Sequence, residues 1–123
     1  MAETQAPTPQ IIQGYGAGMF RISAIVHQNS VIVFPTQTIL WPVTELGQVD
    51  ESSLSPALGQ APELDILLLG TGNTMKLADP TLIRACRAHS VVLEVMDTGA
   101  ACRTYNLLAG EQRRIAAALI ALI

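Results

Sequence analysis

The stretch SVVLEVMDTGAACRTYN, residues 90–106, decides the fold. It begins with an apolar run interrupted only by Glu94, which is typical of a strand covered on both faces of a sheet. Asp97 and Thr98 follow, and their side chains can accept hydrogen bonds from the free amides at the start of a helix. The sequence therefore predicts a buried central strand over residues 91–96 that passes directly into a helix.

The helix after this strand is predicted to be amphipathic. At helical spacing Ala101, Tyr105 and Leu108 share one face, whereas Arg103 and Asn106 fall on another. The apolar face is expected to pack back on the sheet.

A similar strand and helix precede this unit. Residues 64–69 form an apolar run that ends in the turn Gly-Thr-Gly-Asn at residues 70–73. Asp79 can then cap a helix that has Pro80 at its first position. Because strand, helix, strand and helix follow one another, we expect a right-handed crossover between two parallel strands.

The N-terminal part predicts an arm followed by a hairpin. Residues 1–10 contain two prolines and no periodicity, which favours a flexible arm. Residues 19–26 alternate as a half-buried strand, residues 27–30 supply turn chemistry, and residues 31–34 return as an antiparallel partner. The three glycines of residues 14–18 could form a phosphate loop, but no strand precedes them and no helix start follows. We therefore favour a glycine-rich approach to a strand.

The rest of the chain supplies the remaining elements. Residues 38–41 predict a short strand with Trp41 as a core anchor, and residues 45–62 predict a loop with one helical turn at residues 54–58. Residues 113–123 contain alanines that favour a helix, but they have no polar face and no cap, which favours a buried strand. We predict a strand that completes a mixed sheet between existing neighbours, with helices and a hairpin layer over it.

Composition limits the classes of protein to consider. The chain has 123 residues, half of them hydrophobic and 14% charged, which predicts one globular domain. A net charge of -3 gives no general attraction to phosphate backbones, so no nucleic-acid partner is expected. The longest apolar run, residues 115–123, is shorter than the roughly 20 residues of a membrane-spanning helix.

Two further features favour the cytoplasm as the location. Residues 1–9 lack the basic region and apolar core of a secretory signal. Cys86 and Cys102 are the only cysteines and are too few for a disulfide framework, which fits a reducing compartment.

Several blocks resemble a known family. The chain is similar, over roughly residues 11–123, to the small uncharacterised MTH-type domain family of bacteria and archaea, first known from a methanogen structure, which also includes the mitochondrial assembly factor of respiratory complex I. The blocks that carry the resemblance are Gly14-Tyr15-Gly16 with Phe20, Trp41, residues 67–72, residues 96–106 and residues 113–120.

The resemblance implies a three-layer α/β fold whose central mixed sheet has a last strand opposite to the others. It also implies an association with assembly and no established catalytic activity. Family members usually carry Glu-Gly-Arg-Arg before the last strand, whereas residues 111–114 read Glu-Gln-Arg-Arg and a glycine stands at position 110. We therefore expect the turn at this corner to be shifted by two residues.

A candidate site follows from the two glycine-containing turns. If the strands ending at Leu69 and Met96 are parallel neighbours, both turns lie at the sheet edge where open α/β folds bind ligands. Amides at residues 70–72 and 99–100 could form an anion-binding concavity, to which Arg103 adds positive charge. The glycines could equally serve steric needs, and a carboxylate at the mouth would repel an anion. The candidate ligand or partner site consists of Gly70, Thr71, Gly72, Asn73, Asp97, Thr98, Cys102, Arg103 and Asn106.

No residue is assigned a catalytic role, and neither a cofactor nor a metal is expected. Cys102 lies near a helix start beside Arg103, which favours the thiolate, but its alanine neighbours favour a buried, small apolar side chain. His27 and His89 are far apart in sequence and have no Cys or His at ligand spacing. Asp97 is interpreted as a helix cap rather than a general base.

Two functions remain open from the sequence. The first is a non-enzymatic cytoplasmic module, similar to the assembly-factor family, that binds a protein partner through a surface beside residues 97–106. The alternative is a small-molecule or anion-binding protein, or a weak enzyme, that uses a pocket between residues 70–73 and residues 97–103.

Overall fold

A computed structural model describes residues 8–59 and 64–123. The strands and helices, in chain order, are β1 (Ile12–Gly16), β2 (Met19–Ile22), β3 (Ile25–Gln28), β4 (Val31–Val33), β5 (Thr38–Leu40), α1 (Ser55–Leu58), β6 (Ile66–Gly70), α2 (Pro80–Ala88), β7 (Val92–Met96), α3 (Thr98–Gly110) and β8 (Ile115–Leu119). They form a small antiparallel sheet in the order β1-β2-β3 and a mixed main sheet in the order β5-β4-β8-β6-β7. The predicted α/β fold with a mixed sheet, a hairpin layer and two main helices is confirmed.

The last strand, β8, is the centre of the main sheet. It pairs with β4 on one side and with β6 on the other, and all five of its side chains are buried. The predicted insertion of a C-terminal strand between existing neighbours is confirmed. The resemblance implied a last strand opposite to the others, but in the main sheet only β4 runs opposite to β8, which is parallel to β6 and therefore to β7. This part of the expectation is wrong, because α3 returns the chain to the end of the sheet at which β7 begins, so β8 runs in the same direction as β7.

The prediction that β7 is a buried central strand is wrong. β7 pairs with β6 alone and lies at the edge of the main sheet, where Val92 is 55% exposed. Its parallel pairing with β6 is confirmed. Because helices flank both faces of this sheet, an edge strand also needs apolar residues on both sides, so the apolar run does not distinguish the two positions.

The N-terminal hairpin has different partners from those predicted. Residues 19–28 form two strands, β2 and β3, joined by a turn in which Ser23 and Ala24 have φ values of 47° and 72°. The first half of the predicted turn at residues 27–30 therefore belongs to β3. Residues 31–33, as β4, belong to the main sheet instead. A two-residue turn with both φ values positive usually contains Asn or Gly, so Ser-Ala gave no turn signal.

The phosphate-loop alternative for residues 14–18 is also wrong. Most of this segment belongs to β1, which pairs antiparallel with β2. Gly18 has a φ of 69° in the connecting turn, a conformation that suits glycine. These glycines therefore build the small sheet.

The predicted arm, residues 1–10, falls mostly outside the described residues. Its last residue, Gln10, is held in the folded domain: its amide donates to Pro35 O at 2.9 Å and its carbonyl accepts from the Tyr105 hydroxyl at 2.9 Å. The folded domain therefore includes Gln10.

Two apolar layers complete a three-layer fold. On one face of the main sheet, Phe20 of the small sheet and Tyr105 of α3 cover the strands. On the other face the layer includes Cys86 of α2, Leu54 and Trp41. Trp41 is buried and its Nε1 donates to the carbonyl of Ser53 at 2.8 Å, so its predicted role as a core anchor is confirmed.

The segment between β5 and β6 is mainly irregular, as predicted, and its helical turn is α1. A 3-10 turn at Leu46–Gln48 was not anticipated, and residues 60–62 of the predicted loop lie outside the described part of the chain. None of the helices that the structure describes has the length and hydropathy to cross a bilayer.

The corner between α3 and β8 is not shifted. Gln112 has a φ of 61°, its amide donates to Ala109 O at 3.0 Å, and the Arg113 amide donates to Leu108 O at 3.1 Å. This pair of bonds is a Schellman motif with Gln112 in the left-handed position, which glycine occupies most often. Gly110 belongs to the helix instead, so the expected two-residue shift is wrong.

Two glycine substitutions test this assignment. Gly110→Ala should raise the free energy of unfolding by about 1 kcal/mol, because a Cβ there meets no heavy atom within 4 Å and alanine is the better helix former. Gln112→Gly should also stabilise, by up to about 1 kcal/mol, because it relieves a left-handed conformation. Urea unfolding of both variants measures this, and a destabilised Gly110→Ala would place the left-handed turn at position 110 instead.

Candidate functional site

The two predicted turns meet at the carboxyl edge of the parallel strands. Gly70 at the end of β6 lies in register with Met96 at the end of β7. The Thr71 amide donates to Met96 O at 2.9 Å, and the Thr98 amide donates to Gly72 O at 2.9 Å. The structure therefore brings these two parts of the candidate site together.

A buried threonine closes the gap between the turns. The hydroxyl of Thr98 accepts a hydrogen bond from the Gly72 amide at 2.8 Å and donates one to Ile120 O at 2.8 Å. A Cβ on Gly70 would lie 2.9 Å from both Cα and Oγ1 of Thr98. Glycine at position 70 is thus required by packing against Thr98.

The other polar groups at this edge also have partners within the chain. Asp97 Oδ1 accepts from the Ala100 amide at 2.9 Å, which confirms Asp97 as a helix cap. The Thr71 hydroxyl donates to Thr74 O at 2.7 Å. Thr98 and Met96 accept from the amides of Gly72 and Thr71. Together with the Ala100 amide, three amides of the predicted anion-binding concavity are therefore engaged.

Asn73 and Asn106 also have hydrogen-bond partners within the chain. Asn73 Oδ1 accepts from the Ile123 amide at 2.9 Å. Asn106 accepts from the Ile12 amide at 2.9 Å and donates to the Ile12 carbonyl at 2.8 Å, as a neighbouring strand would. Asn106 therefore joins α3 to β1.

Arg103 faces the same side of α3 as Asn106 and contacts the small sheet. Its Nη1 donates to the Tyr15 hydroxyl at 2.8 Å. Tyr15 lies against Gly99, where a Cβ would be 2.8 Å from the hydroxyl oxygen. Leu107, one helical turn beyond Arg103, is 63% exposed. We refer to Tyr15, Arg103 and Leu107 as the α3 crest.

Sequence reasoning included Arg103 in the site but did not connect it with Tyr15. The available signal was an aromatic residue between two glycines, Gly14 and Gly16. The contact itself joins residues 88 positions apart, which periodicity within either element does not predict.

Cys102 is a buried apolar side chain. It is 2% exposed, and burial raises the pKa of its thiol to about 12, although Arg103 opposes part of this shift and Asp97 adds to it. Burial therefore favours the neutral thiol over the thiolate, because desolvation outweighs the nearby positive charge.

The concave surface at this edge has an unexpected second wall. A groove of about 180 Å³ lies against Gly72 and Asn73, and its opposite side is formed by residues 44–46. A larger groove of about 590 Å³ continues along residues 45–49 and 76–82. Neither groove is lined by Asp97, Thr98, Cys102 or Arg103.

A third groove, of about 560 Å³, lies on the side of the molecule where α1 and the end of α2 meet. His89 Nε2 lies 3.0 Å from Glu51 Oε2 at its margin. Within residues 8–59 and 64–123, no three His, Cys, Asp or Glu side chains are grouped as a metal site.

Comparison with known proteins identifies relatives over most of the chain. A family model described as a protein of unknown function, DUF498/DUF598, matches residues 12–120. NADH dehydrogenase [ubiquinone] 1 alpha subcomplex assembly factor 3 of Xenopus tropicalis is 34% identical over 109 residues, which are 89% of this chain. The match spans 60% of the length of that relative.

Solved structures show the same fold. A protein from Bordetella parapertussis is 33% identical, with a TM-score of 0.87, and the match covers 95% of this chain and 99% of that chain. A Bordetella pertussis protein described as a Mth938-like domain is 27% identical, with a TM-score of 0.82, covering 98% of this chain and 90% of that one. The family resemblance inferred from the sequence is confirmed.

The buried Cys102 thiol should make the free energy of unfolding decrease as the pH rises into the alkaline range. Its pKa is raised in the fold, so its contribution is complete below the unfolded thiol pKa near 9 and is lost as pH rises towards 12. Between these two pKa values the slope attributable to Cys102 should be about 1.4 kcal/mol per pH unit, and well below pH 9 it should be close to zero. The free energy of unfolding, measured with urea between pH 7 and 10, should fall less steeply with pH for Cys102→Ala than for the wild type. Rapid labelling of native Cys102 at neutral pH would contradict this account.

Proposed function

The chain belongs to the DUF498/DUF598 family, because the family model matches residues 12–120, and we propose a function for it on that basis. We propose that it is a non-enzymatic cytoplasmic module that binds a protein partner during the assembly of a larger complex. The partner binds at the α3 crest, beside the corner formed by residues 97–106.

The chemistry of the carboxyl edge supports a binding role over an enzymatic one. The side chains of Asp97 and Thr98 are engaged in hydrogen bonds within the fold, and the Cys102 thiol is buried and protonated at neutral pH. A general base or nucleophile must reach a substrate atom, and these groups are held away from solvent or used as caps.

The single observation that carries the proposal is the exposed Tyr15–Arg103 pair. The 2.8 Å hydrogen bond and the packing of Tyr15 on Gly99 hold both long side chains in one arrangement, which lowers the entropic cost of binding. Tyrosine and arginine are also frequent hot-spot residues at protein interfaces. Leu107 supplies an exposed apolar side chain one turn away.

The names of the relatives suggest the first partners to test. Curated vertebrate and insect relatives carry the name of an assembly factor for NADH dehydrogenase. This chain spans about 60% to 65% of the length of the first two of them. Their names therefore guide the choice of partners to test, and the role of the longer proteins is not assigned to this chain. Subunits of a respiratory NADH dehydrogenase are therefore the first candidate partners.

Arg103→Ala should weaken partner binding at least tenfold while changing the free energy of unfolding by less than about 0.5 kcal/mol, because the residue is exposed. The readout is quantitative mass spectrometry of NADH dehydrogenase subunits that co-purify with the tagged protein. The matched control is Arg84→Ala, which removes an exposed arginine from α2, on the opposite face of the main sheet.

Unchanged recovery of those subunits with Arg103→Ala would exclude the α3 crest as the interface. A large loss of stability in this variant would show instead that Arg103 is mainly structural. Failure of wild-type protein to retain any such subunit would contradict the proposed class of partner.

A second candidate function is favoured by the groove beside Gly72 and Asn73. Its volume of about 180 Å³ and its mixed lining suit a small polar ligand rather than a protein. A thermal-shift screen with phosphate and other small anions tests it, since a ligand at 100 times its dissociation constant adds about 2.7 kcal/mol. A rise in Tm that disappears in Thr44→Trp, which fills the groove, would favour this function.

A further inference from the structure

The outer side of β7 is an open sheet edge. In the main sheet β7 pairs with β6 alone, and no other strand among the described residues lies beside it. The other edge strand, β5, has only three residues and is followed closely by Pro42. β7 has five residues and no proline, lysine or bulge, so it lacks most of the devices that protect sheet edges.

The free backbone groups of this edge can be identified from the hydrogen bonds on the inner side. The Val92 amide donates to Asp65 O at 3.0 Å, and Met96 O accepts from the Thr71 amide at 2.9 Å. Alternate residues of a strand direct their backbone groups to the same side. Leu93 and Val95 therefore direct their N–H and C=O groups outward.

Both sides of this edge can receive side chains from an added strand. On the side of α2, a groove of about 370 Å³ runs along β7 and is lined by Ile83, Arg87 and Leu93 among others. On the side of α3, Val92 is 55% exposed. Strand addition uses backbone bonds for affinity and such flanking pockets for alternate side chains.

Glu94 determines which strand the edge accepts. It is the only charged residue of β7, it is exposed, and it lies on the same side as Val92. A second copy paired antiparallel over the full strand would place two Glu94 carboxylates directly opposite each other, which is unfavourable. A lysine or arginine at that position forms an opposite-charge pair instead.

We propose that the outer edge of β7 binds an extended segment of a partner protein as a sixth, antiparallel strand. The segment has a lysine or arginine opposite Glu94 and apolar residues opposite Leu93 and Val95. This surface is separate from the α3 crest, so its test is independent of the one for Arg103.

The probe is a blocked synthetic pentapeptide, Thr-Val-Lys-Val-Ile, compared with an analogue that has glutamate in place of lysine. Two-dimensional NMR of ¹⁵N-labelled protein should show shifts and slowed hydrogen exchange at the amides of Leu93 and Val95. Wild type should bind the lysine peptide about fivefold more tightly than the glutamate peptide. Glu94→Lys should reverse this preference, and Glu94→Gln should abolish it.

The matched control is Glu111→Lys, which makes the same change at an exposed position outside β7 and should keep the wild-type preference. The proposal is overturned if the lysine peptide leaves the Leu93 and Val95 amides unchanged, or if the charge-reversed and neutral variants keep the wild-type preference. A wild-type dimer through β7, seen by sedimentation equilibrium, would show that a second copy occupies the edge.

Discussion

The hydroxyl of Thr98 links three parts of the chain at the carboxyl edge of the main sheet. It accepts from the amide of Gly72, just after β6, and donates to the carbonyl of Ile120, just after β8, while Thr98 itself begins α3. Buried polar groups without partners are costly, so these two bonds favour one arrangement of the strand ends. The close approach also requires glycine at position 70, where any side chain would collide with Thr98.

This junction affects where the protein can act. Open α/β sheets usually bind ligands at the carboxyl ends of their strands, where free amides and a helix N-terminus converge. Here Thr98 and the Asp97 cap occupy the amides of Gly72 and Ala100. The α3 crest and the edge of β7 lie outside this junction, and we propose both as sites for protein partners. The groove beside Gly72 and Asn73 is also accessible and suits a small ligand instead.

The sequence predicted the individual strands and helices better than it predicted how the strands pair within the sheets. Local signals, such as the Asp79 cap with Pro80 and the apolar C-terminal run, placed α2 and β8 correctly. The edge position of β7 and the division of residues 19–26 into β2 and β3 were missed, because they depend on strand order and on a Ser-Ala turn with no sequence signal. At the site, residue types predicted the meeting of the two turns, but not the contact of Arg103 with the distant Tyr15.

Hydrogen exchange of the Gly72 amide, followed by NMR, tests the closed junction most directly. If Thr98 holds this amide, it should exchange only through global unfolding, as slowly as the amides of β8, and its chemical shift should not respond to inorganic phosphate. Exchange within seconds, together with a phosphate-dependent shift of Gly72, would contradict the account. That result would show that the carboxyl edge is an open anion site.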